Sequence, residues 1–442
     1  MNSLLSRSLF FYPSTLIKGE PIAFLINSYR ERQWASLESL REHQFTRVKS
    51  IINYAYKNSA FYKNIFDAQG VDIGDIRSLD DVKDIPTISK EDLIFNLDAM
   101  SENRNRLLCD SKTTGGSTGQ PVKLYKNPLA LARERCATAR SYEWAGIEIG
   151  DPQLRFWGVP HSQRGVRKAY LTDLIANRKR ISAFDLTEQS FLNYYNLAVK
   201  FSPRYLYGYV SVIENFARYL LENSLHPLPS VKSVITTSEV LSEGARHTIE
   251  KAFGVKVYNE YGCGEVGSIA HECSQGNMHL MADNLYVEVD DDVENTGELI
   301  VTDLYNTATP LIRYRLGDYA TLTKEVCECG RSLPLIQSIH GRAYDILEMP
   351  SGRKMHPEAI IYVFEDIQTS TNAFKQFQVI QESRFEITVN IIANNNWTDK
   401  VKGEVVGSLK RNIDEDINYS INIVESIQRE KSGKMRIVKS NL

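Results

Sequence analysis

Four short apolar segments in the first two thirds of the chain constrain its fold more than any other feature. They are "LRFWGV", "YLYGY", "SVITTS" and "VKVYNEY", and segments with helical spacing separate them. Apolar strands that alternate with helices are typical of a layered sheet with helices on its faces. The sequence therefore predicts an α/β (α+β) protein with layered β-sheets and helices.

The pattern changes twice towards the C-terminus. From Leu285 two strand-like segments follow each other, joined by a turn at Asn295, Thr296 and Gly297. From about Ala343, further strands surround the helical segment "DKVKGEVVGSLKRNI". A chain of 442 residues is also long for one core. We predict a large N-terminal domain, residues 1–342, and a small C-terminal α+β domain, residues 343–442.

Charge and composition exclude several classes of function. The 52 basic and 55 acidic residues give a net charge of −3, which does not favour nucleic acid as a partner. No uninterrupted apolar run is long enough for membrane insertion, and Arg7, Pro13 and Lys18 interrupt the apolar N-terminal stretch, so it does not resemble a signal peptide. Six cysteines are too few for a disulfide scaffold, which favours a cytoplasmic location.

The stretch "SKTTGGSTGQPVKLYK" combines three glycines with several hydroxyl side chains. Glycines allow backbone N–H groups to approach an anion closely, and hydroxyls add further donors. The segment is not a P-loop, because Gln120 and Pro121 stand where such a loop has its Lys. It is either a phosphate-binding loop or a flexible surface loop.

A second glycine motif, "YGCGEVG", has the G-x-G-x-x-G spacing of dinucleotide-binding proteins. The next Gly follows after only a few residues, and the segment then resembles a strand, so a βαβ unit cannot be built there. We therefore reject the NAD-binding interpretation of this motif, and an NAD-dependent oxidoreductase stays only as a secondary alternative.

Six motifs in order resemble one family: "TTGGSTGQP", "TTSEVL", "YNEYGCGEVG", "LIRYRLGDYA", "HGRAYDIL" and "REKSGKMRIV". They are similar to the adenylate-forming superfamily of acyl-coenzyme A synthetases, and within it to the phenylacetate–coenzyme A ligase branch and its capsule-biosynthesis-type members. The resemblance runs from about Leu37 to the C-terminus. It implies that the C-terminal domain is mobile. It also implies that a carboxylate attacks the α-phosphate of ATP, and that coenzyme A, an amine or a sugar hydroxyl then displaces AMP. A catalytically inactive relative is the alternative.

The same resemblance implies a nucleotide site. The groups that would hold the phosphates are Thr113, Thr114, Gly115, Gly116, Ser117, Thr118 and Gly119. Those that would lie along the adenine are Ser238, Glu239, Asn259, Glu260, Tyr261 and Gly262.

Four further residues have an implied role in binding or catalysis. Glu265 would hold Mg²⁺, and a helix-capping Glu is the alternative. Asp318 would bind the ribose hydroxyls, unless it is an ordinary turn residue. Arg342 would contact the ribose or a phosphate, with the domain hinge at Asp345. Lys434 would stabilise the charge that builds on the α-phosphate, or else it is a solvated tail residue.

Two aromatic segments, "FWGVPHS" and "YLYGYVS", resemble the wall of the carboxylate pocket. They place His161, Tyr207 and Gly208 in the substrate pocket, although a lone His after Pro is as often structural. The aromatic character does not identify the carboxylate. A homodimer stays an open option.

Cysteine and histidine pairs predict a structural zinc site. His271 and Cys273 form one pair, and Cys327 and Cys329 in "CECGR" form the other. Thiolate and imidazole groups suit Zn²⁺, and four of them close a tetrahedral site. Members of the family branch that carry "CxCGR" look similar. Two alternatives stay open: Cys263 or His279 replaces one of the ligands, or the cysteines are reduced thiols without metal.

Overall fold

The computed structural model describes residues 1–101, 109–114, 122–158, 163–183, 187–293, 295–342, 347–352, 354–355, 358–428 and 436–442. Two compact units divide the chain: Met1–Leu316 with Thr321–Gln337, and Gly317–Ala320 with Ser338–Leu442.

Helices and strands alternate along most of the first unit, and their numbering continues in chain order through the second unit. The helices are α1 Ser3–Leu5, α2 Tyr12–Ile17 (joined to α1 by the π-helical turns Ser6–Phe11), α3 Ile22–Arg32, α4 Leu37–Asn58, α5 Ala60–Gln69, α6 Lys90–Met100, α7 Pro128–Trp144, α8 Gln163–Ile175, α9 Glu188–Phe201, α10 Val210–Glu222, α11 Glu243–Phe253, α12 Glu358–Thr371 and α13 Asp399–Asn412; two short 3₁₀ turns are Ile73–Asp75 and Asp80–Asp84. The strands are β1 Asp110–Thr114, β2 Val122–Lys126, β3 Gln153–Trp157, β4 Arg178–Ser182, β5 Tyr205–Tyr209, β6 Ser233–Thr237, β7 Val257–Cys263, β8 Gly267–Glu272, β9 Met278–Leu280, β10 Leu285–Val293, β11 Thr296–Asp303, β12 Tyr314–Thr323, β13 Leu335–Arg342, β14 Leu347–Glu348, β15 Lys354–Met355, β16 Phe374–Ser383, β17 Glu386–Ala393, β18 Asn418–Ile423 and β19 Val438–Ser440.

Within the described residues, eleven strands form one sheet in the order β10-β11-β12-β13-β9-β8-β7-β6-β5-β3-β4. Its strands β4, β3, β5, β6 and β7 are parallel, whereas β7, β8 and β9 are antiparallel. The predicted α/β class is confirmed. The basic edge strand β4, "RKRIS", lacks the apolar character by which the four predicted strands were recognised.

The helices begin and end where capping residues stand. The Asn127 side chain accepts a hydrogen bond from the Ala130 N–H at the start of α7, and Pro128 occupies the first helical position. α11 begins at the cap Ser242 and ends at Gly254, whose φ is +68°. On one face of the parallel strands, α10 buries Ile213 and Phe216 in a core with Leu206 of β5. The sheet therefore holds its connecting helices by an apolar face.

In the second unit, a four-stranded sheet has the order β18-β17-β16-β19. β16 and β17 are antiparallel, and the other two pairs are parallel. Helices α12 and α13 bury Phe364, Val405 and Leu409 against the sheet residues Val379 and Val389. This unit therefore has a core of its own. Among the residues that the structure describes, no helix has the length and apolar character needed to cross a bilayer.

Candidate functional site

The carboxyl ends of three neighbouring parallel strands bring the predicted adenine segments together. Gly208 of β5 pairs with Thr236 of β6, which pairs with Asn259 of β7. Ser238 and Glu239 directly follow β6. Ligands of open α/β sheets bind at this edge. The predicted residues of "TTSEVL" and "NEYG" thus lie on adjacent strands of the first unit.

Glu239 fixes the start of helix α10. Its carboxylate accepts hydrogen bonds from the Ser211 N–H (2.7 Å) and the Ser211 hydroxyl (3.0 Å). An acidic group at a helix N-terminus satisfies free N–H groups and complements the helix dipole. Ser238 reaches this geometry with a φ of +69°, in the left-handed region. The structure gives Glu239 a positioning role at the site.

The side chains of Asn259 and Glu260 differ in their hydrogen-bond partners. The Glu260 carboxylate accepts hydrogen bonds from the Tyr142 hydroxyl (2.8 Å) and the Ser268 hydroxyl (3.1 Å). Burial raises the pKa of Glu260, although both hydrogen bonds favour the ionised form. The Asn259 Oδ1 atom, by contrast, is buried and accepts no hydrogen bond from the described residues. A buried acceptor without a donor is costly, so this atom suits a ligand N–H group.

Gly208 is required by the approach of two strands. A Cβ atom at this position would lie 2.3 Å from the Phe156 carbonyl oxygen on β3. The close approach of the two strands is enough to explain why position 208 is a glycine, and no role in substrate binding is needed for that.

The "YGCGEVG" motif forms a tight antiparallel hairpin. Cys263, the last residue of β7, pairs with Gly267, the first of β8, and Glu265 lies in the turn between them. A Cβ atom at Gly262 would lie 2.5 Å from the Gly267 carbonyl oxygen. A strand follows the motif where a dinucleotide site needs a helix.

An ion-pair cluster around the buried Lys126 holds the hairpin that flanks the glycine-rich loop. Glu134 of α7 contacts the ammonium groups of Lys112 on β1 (3.0 Å) and Lys126 on β2 (2.8 Å). Lys126 also lies 3.6 Å from Asp303, and its side chain is 2% exposed. Burial opposes the ionisation of Glu134, but the two ammonium groups outweigh it and lower the pKa of Glu134 to about 2. This cluster was not apparent in the sequence, because the pairing of β1 with β2 and their position beside α7 and Asp303 bring its members together.

Thr113 and Thr114 belong to β1, paired with Lys123 and Val122 of β2. Asp318 lies in β12, and Arg342 is the last residue of β13. The remaining predicted residues lie outside the described residues: Gly115, Gly116, Ser117, Thr118, Gly119, His161, Asp345 and Lys434.

An aromatic group with one cation lies on β3 and β5. The Trp157 ring stacks on Tyr209 (4.5 Å between centroids) and on Tyr207 (5.7 Å). The Arg155 guanidinium lies over the rings of Trp157 (4.5 Å) and Tyr207 (5.0 Å), and its Nε finds no partner in the described part of the chain. Arg155 was missed in the sequence, where it is one more basic residue in a strand. A cation among aromatic rings can attract an anionic, apolar ligand.

Three of the four predicted zinc ligands lie together with a different histidine. Ligand atoms of Cys273, His279, Cys327 and Cys329 lie within 4.8 Å of one another. The Cys273 and Cys327 sulfurs are 3.6 Å apart, and the Cys329 sulfur lies 3.2 Å from His279 Nε2. Tetrahedral zinc with two Zn–S bonds places its sulfurs about 3.8 Å apart. The cluster therefore has the donor set and spacing that fit the metal.

His271 lies outside this cluster, and His279, the stated alternative, lies within it. The two histidines are opposite each other on β8 and β9. The His271 ring packs edge-on against Tyr142 at 5.8 Å, and burial lowers its pKa to about 3. His279 instead bonds the Leu333 carbonyl oxygen through Nδ1 (2.9 Å), which leaves Nε2 directed at Cys329. Such a hydrogen bond typically orients a metal-binding imidazole.

Comparison with known proteins agrees with this architecture. Residues 347–441 match the family model of the CapK C-terminal domain. "Protein CapK" of Staphylococcus aureus is 26% identical over the whole of both chains. A phenylacetate-coenzyme A ligase of Thermus thermophilus is 28% identical over 75% of this chain and 77% of its own. A crystal structure of 2-hydroxyisobutyryl-CoA ligase in the postadenylation state shares the fold, with a TM-score of 0.76 at 19% identity over 93% of this chain and 91% of that chain. These similarities confirm the predicted resemblance to the adenylate-forming superfamily, in the branch of the phenylacetate–coenzyme A ligases and CapK, and they support an AMP-forming ligase.

Proposed function

We propose that this ligase uses ATP and Mg²⁺ to activate a small carboxylate as an acyl-adenylate, and then transfers the acyl group to coenzyme A. The observation that carries the nucleotide part is the buried Asn259 Oδ1, which has no donor among the described residues. Adenine offers the N6 amino group, a donor that would satisfy it. Glu239, held by Ser211, keeps the neighbouring turn after β6 in place.

Each of the remaining residues would have its own role in the reaction. Glu265, in the hairpin turn, offers a carboxylate oxygen, which suits Mg²⁺, and the ion would neutralise the phosphate charge. The loop after β1 would hold the phosphates that leave as pyrophosphate, with Asp318 and Arg342 on the ribose. Lys434 would stabilise the charge on the α-phosphate. Arg155 would attract the substrate carboxylate towards the rings of Trp157 and Tyr207.

A second acceptor class, an amine or a sugar hydroxyl, has specific support. The match to CapK covers the whole chain, whereas the matches to phenylacetate–coenzyme A ligases cover 71% to 75% of it. An indoleacetate–lysine synthetase of Pseudomonas savastanoi is 31% identical over 123 residues, 27% of this chain. Transfer to an amine would give an amide in place of a thioester.

The first step is tested by ATP–pyrophosphate exchange with a panel of aromatic and sugar-derived carboxylates, because this assay needs no acceptor. We expect Mg²⁺-dependent exchange with at least one of them. Glu265→Gln should lower the rate by about a hundredfold or more, since an amide is a poor ligand for a hard cation. The exposed Glu243→Gln serves as control and should keep the wild-type rate. An unchanged rate in Glu265→Gln would refute the metal assignment. Acceptors are then compared by AMP release with coenzyme A, amines and sugars.

We also propose that Cys273, His279, Cys327 and Cys329 hold a structural zinc ion. Four protein ligands close the coordination shell and leave no position for substrate. Asn277 donates a hydrogen bond to the Cys327 sulfur (3.3 Å), which supports a thiolate there. The ion would join the β8–β9 turn to the segment after β12.

A further inference from the structure

The N-terminal helical segment, residues 3–17, has its polar side turned inwards. The residues that it buries are Ser6 and Thr15. The exposed large side chains of the same segment are Leu4, Leu5, Leu9, Phe10, Leu16 and Ile17. A surface helix of a globular protein normally has the opposite arrangement, with its apolar stripe on the core.

Polar contacts fix this orientation. The Ser3 hydroxyl donates to Asp151 (2.6 Å), Arg7 pairs with Glu148 (2.9 Å), and the Met1 carbonyl oxygen accepts from Asn177 (3.0 Å). The helix also approaches so closely that a Cβ atom at Gly150 would lie 2.4 Å from the Ser3 carbonyl oxygen. Apart from Phe11 and Tyr12, which are partly buried against an apolar core, the segment is docked on the first unit by polar contacts, and its other large apolar side chains face solvent.

Helix α8 extends the apolar surface. It packs beside Ser6–Phe11 and exposes four more apolar or aromatic side chains. They are Val166, Tyr170, Leu171 and Leu174. Ile17 is 87% exposed and Leu9 63%, so these side chains are open to solvent rather than partly covered. Exposed apolar side chains concentrated on two neighbouring elements are typical of an interaction site.

The charges around this surface are basic. Residues 1–19 and 163–172 contain no Asp or Glu, and they include the exposed Lys18, Arg167 and Lys168. Asp173, the next acidic residue on α8, is buried and paired with Arg178 and Arg180. Glu148 is the exposed acid at the edge, and it is paired with Arg7. Exposed cations around an apolar face complement anionic headgroups above an acyl-chain region.

We infer that residues 3–17 and α8 together form a surface that binds reversibly to an anionic phospholipid bilayer. The leucine and phenylalanine side chains enter the headgroup region, and Lys18, Arg167 and Lys168 lie against the lipid phosphates. The segment lies along the membrane and does not cross it, because its length is only about 22 Å and it lies along the first unit. This inference does not depend on the proposed reaction.

Flotation of the full-length chain with vesicles tests the inference. Vesicles of phosphatidylcholine alone are compared with vesicles that contain phosphatidylglycerol, at low and high salt. We expect binding to the anionic vesicles that weakens at high salt, since exposed charges are screened. Leu5→Ser/Leu9→Ser/Phe10→Ser should weaken binding by about tenfold or more, because it removes the inserted side chains. Arg167→Gln/Lys168→Gln should remove most of the preference for anionic lipid.

The matched control replaces exposed apolar residues elsewhere in the first unit: Phe95→Ser/Val199→Ser/Val326→Ser. It should bind vesicles like the wild type. Circular dichroism and thermal unfolding should be unchanged in all variants, because every replaced side chain is exposed. Absence of vesicle binding at low salt would overturn the inference. So would a stable wild-type dimer that the Leu5/Leu9/Phe10 variant dissociates, because a second copy would then cover this surface.

Discussion

At the scale of single residues, Gly267 is a position of the site where both the backbone conformation and a close neighbour require glycine. Its φ is +85°, and an added Cβ atom would lie 2.3 Å from Glu134 Cδ. Gly254 offers a matched comparison, since its φ is +68° but no atom lies within 4 Å of an added Cβ. The two glycines therefore separate the cost of backbone conformation from the cost of collision.

We expect Gly254→Ala to lower the free energy of unfolding by about 1 kcal/mol, the cost of a left-handed non-glycine residue. Gly267→Ala should cost about 3 kcal/mol or more, since it also displaces Glu134 from its buried partner Lys126. Urea unfolding of both variants measures the difference. An equal loss of unfolding free energy in the two variants would mean that the Glu134 side chain moves aside and keeps its ion pairs.

The zinc site makes a second prediction at the residue scale. His279→Gln should lose most of its zinc and unfold about 5 °C or more below the wild type, because the metal links two distant segments. His271→Gln is the control, since its ring packs on Tyr142 away from the cluster, and it should keep about one equivalent. Metal analysis of protein purified without chelator checks both. Wild-type protein that contains no zinc would refute the proposed zinc site.

The two histidines also show the limit of sequence reasoning. The donor types and Cys327–Cys329 were evident in the sequence, but His271 and His279 are both within a few residues of Cys273. Only the pairing of β8 with β9 and the Leu333 carbonyl decide which ring points at Cys329. Arg155 was missed for a similar reason, because its aromatic neighbours come from a second strand.

At the scale of secondary structure elements, the hairpin β1–β2 depends on Glu134. Glu134→Gln leaves the buried Lys126 with Asp303, at 3.6 Å, as its remaining ion-pair partner among the described residues. Removal of one partner of a buried pair typically costs about 3 kcal/mol. We expect that loss in urea unfolding at pH 7, together with slower ATP–pyrophosphate exchange, because the hairpin carries the glycine-rich loop. Asp67→Asn, which removes an exposed ion pair with Lys63 on α5, should cost less than about 1 kcal/mol.

The pH dependence of this effect follows from the pKa of Glu134. The pKa is about 2 in the folded protein, against 4.5 as the ordinary value. A lowered pKa stabilises the fold above the ordinary value, and that contribution is lost as the pH falls towards 2. The difference in stability between wild type and Glu134→Gln should therefore be constant above about pH 5 and shrink below it. A difference that does not change down to pH 3 would contradict the ion-pair explanation.

The elements themselves were largely predictable. Strands β3, β5, β6 and β7 match the apolar segments, since parallel strands are buried on both faces. Strand β4 was not predicted, because an edge strand has one free side and tolerates the charges of "RKRIS". The inverted polarity of residues 3–17 was also not apparent, because an apolar N-terminal stretch does not by itself say which side it buries.

At the scale of the whole molecule, the chain divides into two units with separate cores. The resemblance of the C-terminal residues to a CapK domain covers 347–441, which includes the position of Lys434. That lysine lies outside the described residues, so its role is a proposal that rests on the motif "KSGKMR". A catalytic group on a separate unit can serve one step of a two-step reaction and be absent from the other.

Lys434→Ala should therefore slow adenylation, measured by ATP–pyrophosphate exchange, by about a hundredfold or more, as expected for one lost preorganised donor. Given a preformed acyl-adenylate and its acceptor, the same variant should transfer the acyl group at nearly the wild-type rate, because an interaction made in one transition state affects that step alone. Lys434→Arg should recover little, since a planar guanidinium does not replace a compact ammonium. Lys439→Ala, on the short strand β19, is the control and should leave both steps unchanged. Equal loss in both half-reactions would show that Lys434 acts on the structure of the C-terminal unit rather than on the first transition state.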